Sequence, residues 1–229
     1  MPARPITVDV TADPLCPFCY LGTTQLKHAV VKYNKEHDAQ IDLQWKFHPY
    51  ALNPSLPETP ETRQGYMTRK FGSTSGSTDS LAKSYAAAGL KRADPAHSYI
   101  SSSFTAQRLL AYAQHHWASL PRHEASTKIV QLNSDIGYMI HTEGHHASDR
   151  AHLAKIAHKD GVFPSEAEAK TWLEGSELSD EVNKGYAAAS RQGIRGVPFF
   201  VFDHKFAGSG AVGEEGFEEM LEEVVGAES

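Results

Sequence analysis

The chain has 229 residues, 40% of them hydrophobic, which is enough to bury a full core in one large domain or a compact two-part body. It carries 22 Lys and Arg against 28 Asp and Glu, a formal net charge of -6 with no basic block, which argues against a nucleic-acid partner. The opening MPARPITVDV lacks the apolar run of about 7 to 15 residues that marks a secretory signal, and no later segment reaches the roughly 20 apolar residues that span a bilayer, so the expectation is a soluble, cytoplasmic protein without a membrane partner.

Residues 6 to 12, ITVDVTA, alternate β-branched and polar side chains and predict a first strand. DPLCPFCYLG follows at once and holds the chain's two cysteines, Cys16 and Cys19. Leu26, Ala29, Val30 and Tyr33 then recur at helical spacing as far as about Lys35. In IDLQWKFH, 41 to 48, Ile41, Leu43, Trp45 and Phe47 share one face of a second strand. Beyond about residue 58 the pattern turns helical: segments at 60–71, 78–88, 101–117, 121–141, 148–158, 165–174 and 179–192 are predicted with no strand between them. The GSTSGSTDS stretch, 72 to 80, reads as a flexible connection. Near the end, Val197 to Phe202 predicts a strand that turns at Asp203-His204 into a partner at Lys205 to Ala207, and a helix follows from about 213 to 225.

A cytosolic chain stays largely reduced, so a lone Cys-x-x-Cys there points to catalysis, redox sensing or metal binding before a structural staple. Proline is favoured at the first helical position, where its missing N–H has no intrahelical partner to lose. Pro17 therefore marks the helix start and makes Cys16 the cap residue, facing the free amides of Phe18 and Cys19 and the positive end of the helix dipole. That environment lowers a thiol pKa from roughly 8.5 and makes Cys16 the expected exposed, attacking sulfur. Cys19, one turn on, meets the roughly 4.4–6.8 Å Cα separation of a disulfide and is the inner, resolving sulfur. Asp13 either accepts the Cys19 proton or caps the turn, the second being favoured. Phe18 lies between the sulfurs and is expected in a substrate groove, whereas Tyr20 and Leu21 are expected in the core.

The cysteines alone do not make a structural zinc site, which wants four ligands. Nine of the 13 histidines lie between 97 and 158. His141 and His145 have the i, i+4 spacing of paired ligands, but Gly144 between them argues that the helix is ending; the expectation is surface histidines and no metal site.

CPFCYLG after a first strand and GVPFFVF before a terminal hairpin resemble the DsbA-type branch of the thioredoxin superfamily, and more narrowly the FrnE-like oxidoreductases. FHPYALNP, KFG at 70–72, FTAQRLLAYA at 104–113, TEG at 142–144 and GIRGVPFFVFDHKFAGSGA at 193–211 extend the likeness over nearly the whole length. The resemblance implies an α/β, thioredoxin-like fold, residues 1–57 and 178–229, interrupted by an all-helical insertion, 58–177. It implies a catalytic set of Cys16, Cys19 and a cis-proline at Pro198, and a substrate-binding set of Phe18, Val197 and Pro17. The backbone of Val197 would pair with a bound peptide or with glutathione. Two departures stand out. Phe18 occupies a position where FrnE-like chains commonly have tryptophan, and SSSFTAQRL replaces an Asn…Ala-His-Arg pattern, with Ser102 or Ser103 and Gln107 in place of the Asn and His.

The implied function is thiol–disulfide exchange with protein or low-molecular-weight thiols and disulfides, with no resident cofactor and glutathione as a candidate co-substrate. The alternative is a glutathione-dependent transferase or isomerase of the kappa-class or 2-hydroxychromene-2-carboxylate isomerase type. Those relatives generally carry serine at the position of Cys16 and give a second cysteine no task. A non-catalytic binding module is a third reading, against which a capped thiol pair argues. The resemblance leaves the oligomeric state open, a homodimer being compatible with it.

Overall fold

A computed structural model describes residues 4–37, 40–72 and 78–227. Most of the connection expected at 72 to 80 lies outside the described residues.

In β1 (Arg4–Ala12), Ile6, Val8 and Val10 are fully buried, and Thr7 and Asp9 between them are partly exposed, as strand alternation requires. Then comes α1 (Pro17–Glu36), a crossover that lets β2 (Ile41–Pro49) lie parallel to β1, Val8 facing Trp45. The chain continues through β3 (Glu61–Thr62), α2 (Arg63–Phe71), α3 (Thr78–Ala87), β4 (Tyr99–Ile100), α4 (Phe104–His116), α5 (Arg122–His141), α6 (Arg150–Lys159) and α7 (Glu166–Glu174). It returns through α8 (Ser179–Arg191), β5 (Phe199–Phe202), β6 (Phe206–Ser209) and α9 (Gly213–Gly226). Asp203 and His204 turn β5 into β6 with φ of 46° and 58°, the two left-handed residues that match strand twist in a tight hairpin. Among the described residues no helix is long and apolar enough to cross a membrane.

The main sheet runs β2-β1-β5-β6, with β1 and β2 parallel and the other pairs antiparallel. This is a thioredoxin-type mixed sheet, and residues between β2 and α8 add no strand to it. The α1 and α9 helices pack together, and Phe200 of β5 meets Phe217 of α9 edge-on, ring centroids 5.1 Å apart. Across the sheet, Gly185, Ala188 and Ala189 of α8 share a cavity with Asp9, Thr11, His48 and Val201.

The expectation that no strand interrupts the helical segments is corrected. β3 and β4 pair antiparallel, Glu61 with Ile100 and Thr62 with Tyr99. Two-residue strands have no period to read. Their effect is to delay both flanking helices, so that α2 starts behind a Thr62 cap that accepts from the Gly65 amide, and α4 starts at Phe104 rather than 101.

Strand β2 lies at the sheet edge, and the insertion covers it with side chains instead of a further strand. Ser126 of α5 accepts from the Trp45 amide and donates to Leu43 O, at 2.8 Å each. Gln114 of α4 accepts from the Phe47 amide at 2.9 Å and donates to Phe47 O at 3.1 Å. Gln107, two turns earlier on the same face, does the same for Tyr50, at 3.0 Å both ways. Free edge groups are thereby satisfied one residue at a time.

Candidate functional site: the dithiol turn

The site begins where β1 ends. Asp13 is buried, and its carboxylate accepts from the amides of Leu15 (2.9 Å) and Leu52 (2.8 Å), tying the turn to the segment after β2. The Ser103 hydroxyl also hydrogen-bonds it, yet burial outweighs these bonds and holds the Asp13 pKa above the usual carboxylate range. Ser103 is in turn held by Gln107, whose Nε2 donates to its oxygen at 2.9 Å. Cys19 meets the backbone of Asp13, not its carboxylate. Of the two roles considered for Asp13, the structural one matches this arrangement.

Cys16 is the cap of α1, φ -80° and ψ 115°, with Pro17 at the first helical position. Its sulfur makes no hydrogen bond of ordinary geometry to the first-turn amides. In the thiol form it donates to the Val197 carbonyl at 3.6 Å. Four influences set its acidity. Donation from the Cys19 thiol lowers the pKa most; burial opposes; the amides of Cys19 and Phe18 lower it further; the Asp13 charge raises it slightly. The net shift is downward. Cys19 is pushed well up, first by burial, then by donating to Cys16 and by the Cys16 charge. The two sulfurs are thus displaced in opposite directions, Cys16 becoming the more acidic and Cys19 the one that keeps its proton.

One expectation about Cys16 fails: it is not exposed, with only 4% of the residue accessible, the same as Cys19. Both sulfurs join the main core cluster, and Val197 packs against it. The strand-entry segment folds over the helix start, which a local reading of the cap does not reveal. Val197 is partly buried and Pro198 buried, joined by a cis peptide bond. Gly22 of α1 lets this segment approach, since a Cβ there would stand 3.1 Å from the Pro198 ring and 3.4 Å from Phe200. Pro17 is partly buried and Phe18 is 47% exposed beside the sulfurs. Cys16, Cys19, Pro17, Phe18, Val197 and Pro198 therefore meet at one end of the sheet. Tyr20 and Leu21 are in the core.

Four supporting residues escaped the sequence reading. His141, expected among surface histidines, is buried at the last turn of α5, and its Nε2 lies 2.8 Å from the Pro14 carbonyl. A carbonyl only accepts, so Nε2 carries the proton. Burial, with the nearby Arg63 and Arg92 charges, pushes the His141 pKa down to about 3 and keeps the ring neutral. Tyr85 of α3 donates to the Pro17 carbonyl at 2.8 Å. Tyr20 fills the space between, stacked on His141 (5.8 Å) and edge-on to Tyr85 (6.2 Å). Gln107 and Ser103 support the Asp13 carboxylate from α4. The dithiol turn is gripped from three insertion helices, by partners 65 or more residues away in sequence. A cleft of about 400 Å³ opens behind the turn between β2, α4 and α8, with Pro14, Phe47, Gln107 and Lys184 on its walls; neither sulfur lines it.

A mixed four-stranded sheet with a Cys-x-x-Cys at the start of α1, facing a cis-proline at the entry to β5, defines a thioredoxin-fold dithiol protein. The model of the DSBA-like thioredoxin domain matches residues 7–222, and the chain belongs to that family, whose members are generally oxidoreductases or isomerases. Among solved structures, the chain is similar to a probable DsbA oxidoreductase from Streptomyces coelicolor, with 22% identity, a TM-score of 0.76, and 96% of this chain and 90% of the other covered. It is also similar to the cytosolic disulfide reductase DsbM from Pseudomonas aeruginosa, solved with glutathione, at 16% identity and a TM-score of 0.58 over 96% and 98% of the two chains. A third likeness is to 2-hydroxychromene-2-carboxylate isomerase, at 14% identity and 0.56 over 96% and 95%. No curated protein matches by sequence.

Proposed function

We propose that the chain is a thiol–disulfide oxidoreductase of the FrnE-like type, working in the cytoplasm on protein disulfides and on low-molecular-weight disulfides such as that of glutathione. The observation that carries this reading is the placement of two adjacent sulfurs at the start of α1 against the Val197 carbonyl and the cis-proline Pro198, where burial and their mutual hydrogen bond drive their acidities apart. The Cys16 thiolate attacks one sulfur of the substrate disulfide; that S–S bond breaks, a Cys16–substrate mixed disulfide forms, and the other half leaves as a thiolate. Cys19 then loses its proton to solvent and attacks Cys16 Sγ, releasing the second thiol. Two electrons have passed to the substrate, and the pair ends as a disulfide; run backwards, the cycle oxidises a dithiol.

The same electrostatics time the second step. Two of the causes that hold the Cys19 pKa up are its donation to Cys16 and the Cys16 charge. Both vanish once Cys16 is tied up in a mixed disulfide, so Cys19 ionises more readily when its attack is needed. The Val197 N–H has no backbone partner among the described residues. Beside the sulfurs it is available to an extended peptide or to glutathione, by strand addition. The glutathione-bound DsbM neighbour is in line with this substrate class, and its description as cytosolic with the proposed compartment.

The similarity to an isomerase keeps the glutathione-activating alternative in view, and Cys19 separates the two. With glutathione disulfide or a dithiol-reducible peptide as substrate, Cys16→Ser is expected to abolish exchange. Cys19→Ser is expected to accumulate a Cys16 mixed disulfide visible by mass spectrometry and to stop turnover. Full conjugation or isomerase activity in Cys19→Ser, with no trapped adduct, would favour the alternative.

A further inference from the structure

We infer that His145, Asp149 and His152, at the turn from α5 into α6, form a binding site for a divalent first-row metal ion, with zinc as the natural probe. The site is separate from the dithiol turn. Their ligand atoms all lie within 4.8 Å of one another. Asp149 Oδ2 is 2.9 Å from His152 Nδ1 and 3.6 Å from His145 Nδ1. In a tetrahedral site with bonds of roughly 2.0–2.1 Å, neighbouring donors stand about 3.3–3.4 Å apart. Two of the three separations bracket that edge length and the third lies within 4.8 Å, so an ion could seat once the His145 and His152 rings swing apart.

The local fold explains the convergence. Asp149 caps α6, its Oδ1 accepting from the His152 amide at 3.1 Å, which leaves Oδ2 facing the histidines. His152 sits one turn on, on the same face. His145 enters from the α5 side, where Gly144 at φ 85° ends the helix and its neighbour's amide returns to Met139 O. The rings of His145 and His152 lie tilted at 32° with centroids 3.5 Å apart. His146 turns away to Ser148 and does not join. The side chains are 32%, 18% and 33% accessible, so an ion can enter from solvent and retain water in its open positions. Two imidazoles and one carboxylate are a donor set for zinc, iron, nickel or copper rather than for calcium or magnesium.

The competing account is an N-cap carboxylate that merely hydrogen-bonds His152 and lies beside His145. It needs a proton on His152 Nδ1, whereas the metal site needs a lone pair there. An ion here would join α5 to α6 just beyond His141, which holds the dithiol turn, so its expected consequence is stabilisation rather than chemistry.

The test uses the full, tag-free chain with Cys16 and Cys19 oxidised to the disulfide, so that neither sulfur can bind. Titrated with zinc chloride against a chromophoric chelator, it is expected to take up one ion per chain and to melt at higher temperature in zinc. His145→Ala and His152→Ala should each weaken binding by about tenfold or more. Asp149→Asn, which keeps a good helix cap, should weaken it while leaving the zinc-free melting temperature near wild type. His123→Ala, on a distant exposed histidine, should change nothing. Failure of the oxidised protein to bind zinc, or uptake unchanged in all three ligand variants, would overturn the proposal. The activity of the dithiol turn does not enter either readout.

Discussion

His141 is a buried base in a place where its neutrality is structural. Its pKa in the fold, about 3, lies well below the 6.5 of a free imidazole, so the unfolded chain binds the additional proton between those values and stability falls as the pH drops through that window. The slope is about 1.4 kcal/mol per pH unit, so roughly 2 kcal/mol should be lost between pH 6.5 and pH 5 from this residue. Urea titrations at the two pH values are expected to show a smaller loss in His141→Gln than in the wild type. An equal loss in both would mean that the ring is not the group that titrates. Phe18 stands at the same scale with the opposite character, a large apolar side chain left exposed beside the sulfurs.

At the scale of elements, the edge of β2 is the feature on which the site rests. Gln107 and Gln114 are seven residues apart on one face of α4, and each closes a two-way hydrogen-bond pair with the backbone of the β2 end. Removing Gln114 leaves the Phe47 edge donor and acceptor partly buried without those partners, a loss of about 1–3 kcal/mol, whereas the Tyr50 amide keeps its bond to Ala12 O when Gln107 is removed. Gln114→Ala should therefore lower the melting temperature while leaving the Cys16 alkylation rate near wild type. Gln107→Ala should lower both, because Gln107 also holds Ser103 against Asp13, the carboxylate that sets the dithiol turn. Calorimetry and iodoacetamide kinetics separate the two effects. Gln107 stood out in the sequence only as a departure from a family pattern and Gln114 not at all, since a polar residue on a helix gives no address for its hydrogen bond.

For the whole molecule, redox state and stability are linked through Cys16. Its folded pKa lies below the unfolded value, so the thiolate stabilises the reduced fold fully above the unfolded pKa, and that contribution is lost as the pH falls through the folded pKa. Cys19, whose folded pKa lies well above the unfolded value, opposes this once the pH passes the unfolded thiol pKa, so the urea stability of the reduced form relative to the disulfide form is expected to rise from acid pH up to that point and to fall beyond it. A gap that does not respond to pH would mean that the thiolate carries none of it. By the same linkage a stabilised Cys16 thiolate is expected to shift the pair in the oxidising direction relative to an unconstrained dithiol, which a glutathione redox titration reads directly.

Periodicity and local stereochemistry were legible before any coordinates: the alternation of ITVDVTA, the helical faces of α1 and α5, the hairpin at Asp203-His204 and the Pro17 start that caps α1 with Cys16 all follow from rules acting within a few residues. Each is local because side-chain direction in strands and helices repeats every two or 3.6 residues. The burial of Cys16, the neutral His141 under Pro14, the Tyr85 bond to Pro17 and the glutamine-covered edge of β2 were decided only when distant segments met. Such contacts join residues separated by 57 to 181 positions, and the identity of a polar side chain says that it needs a partner without saying which one.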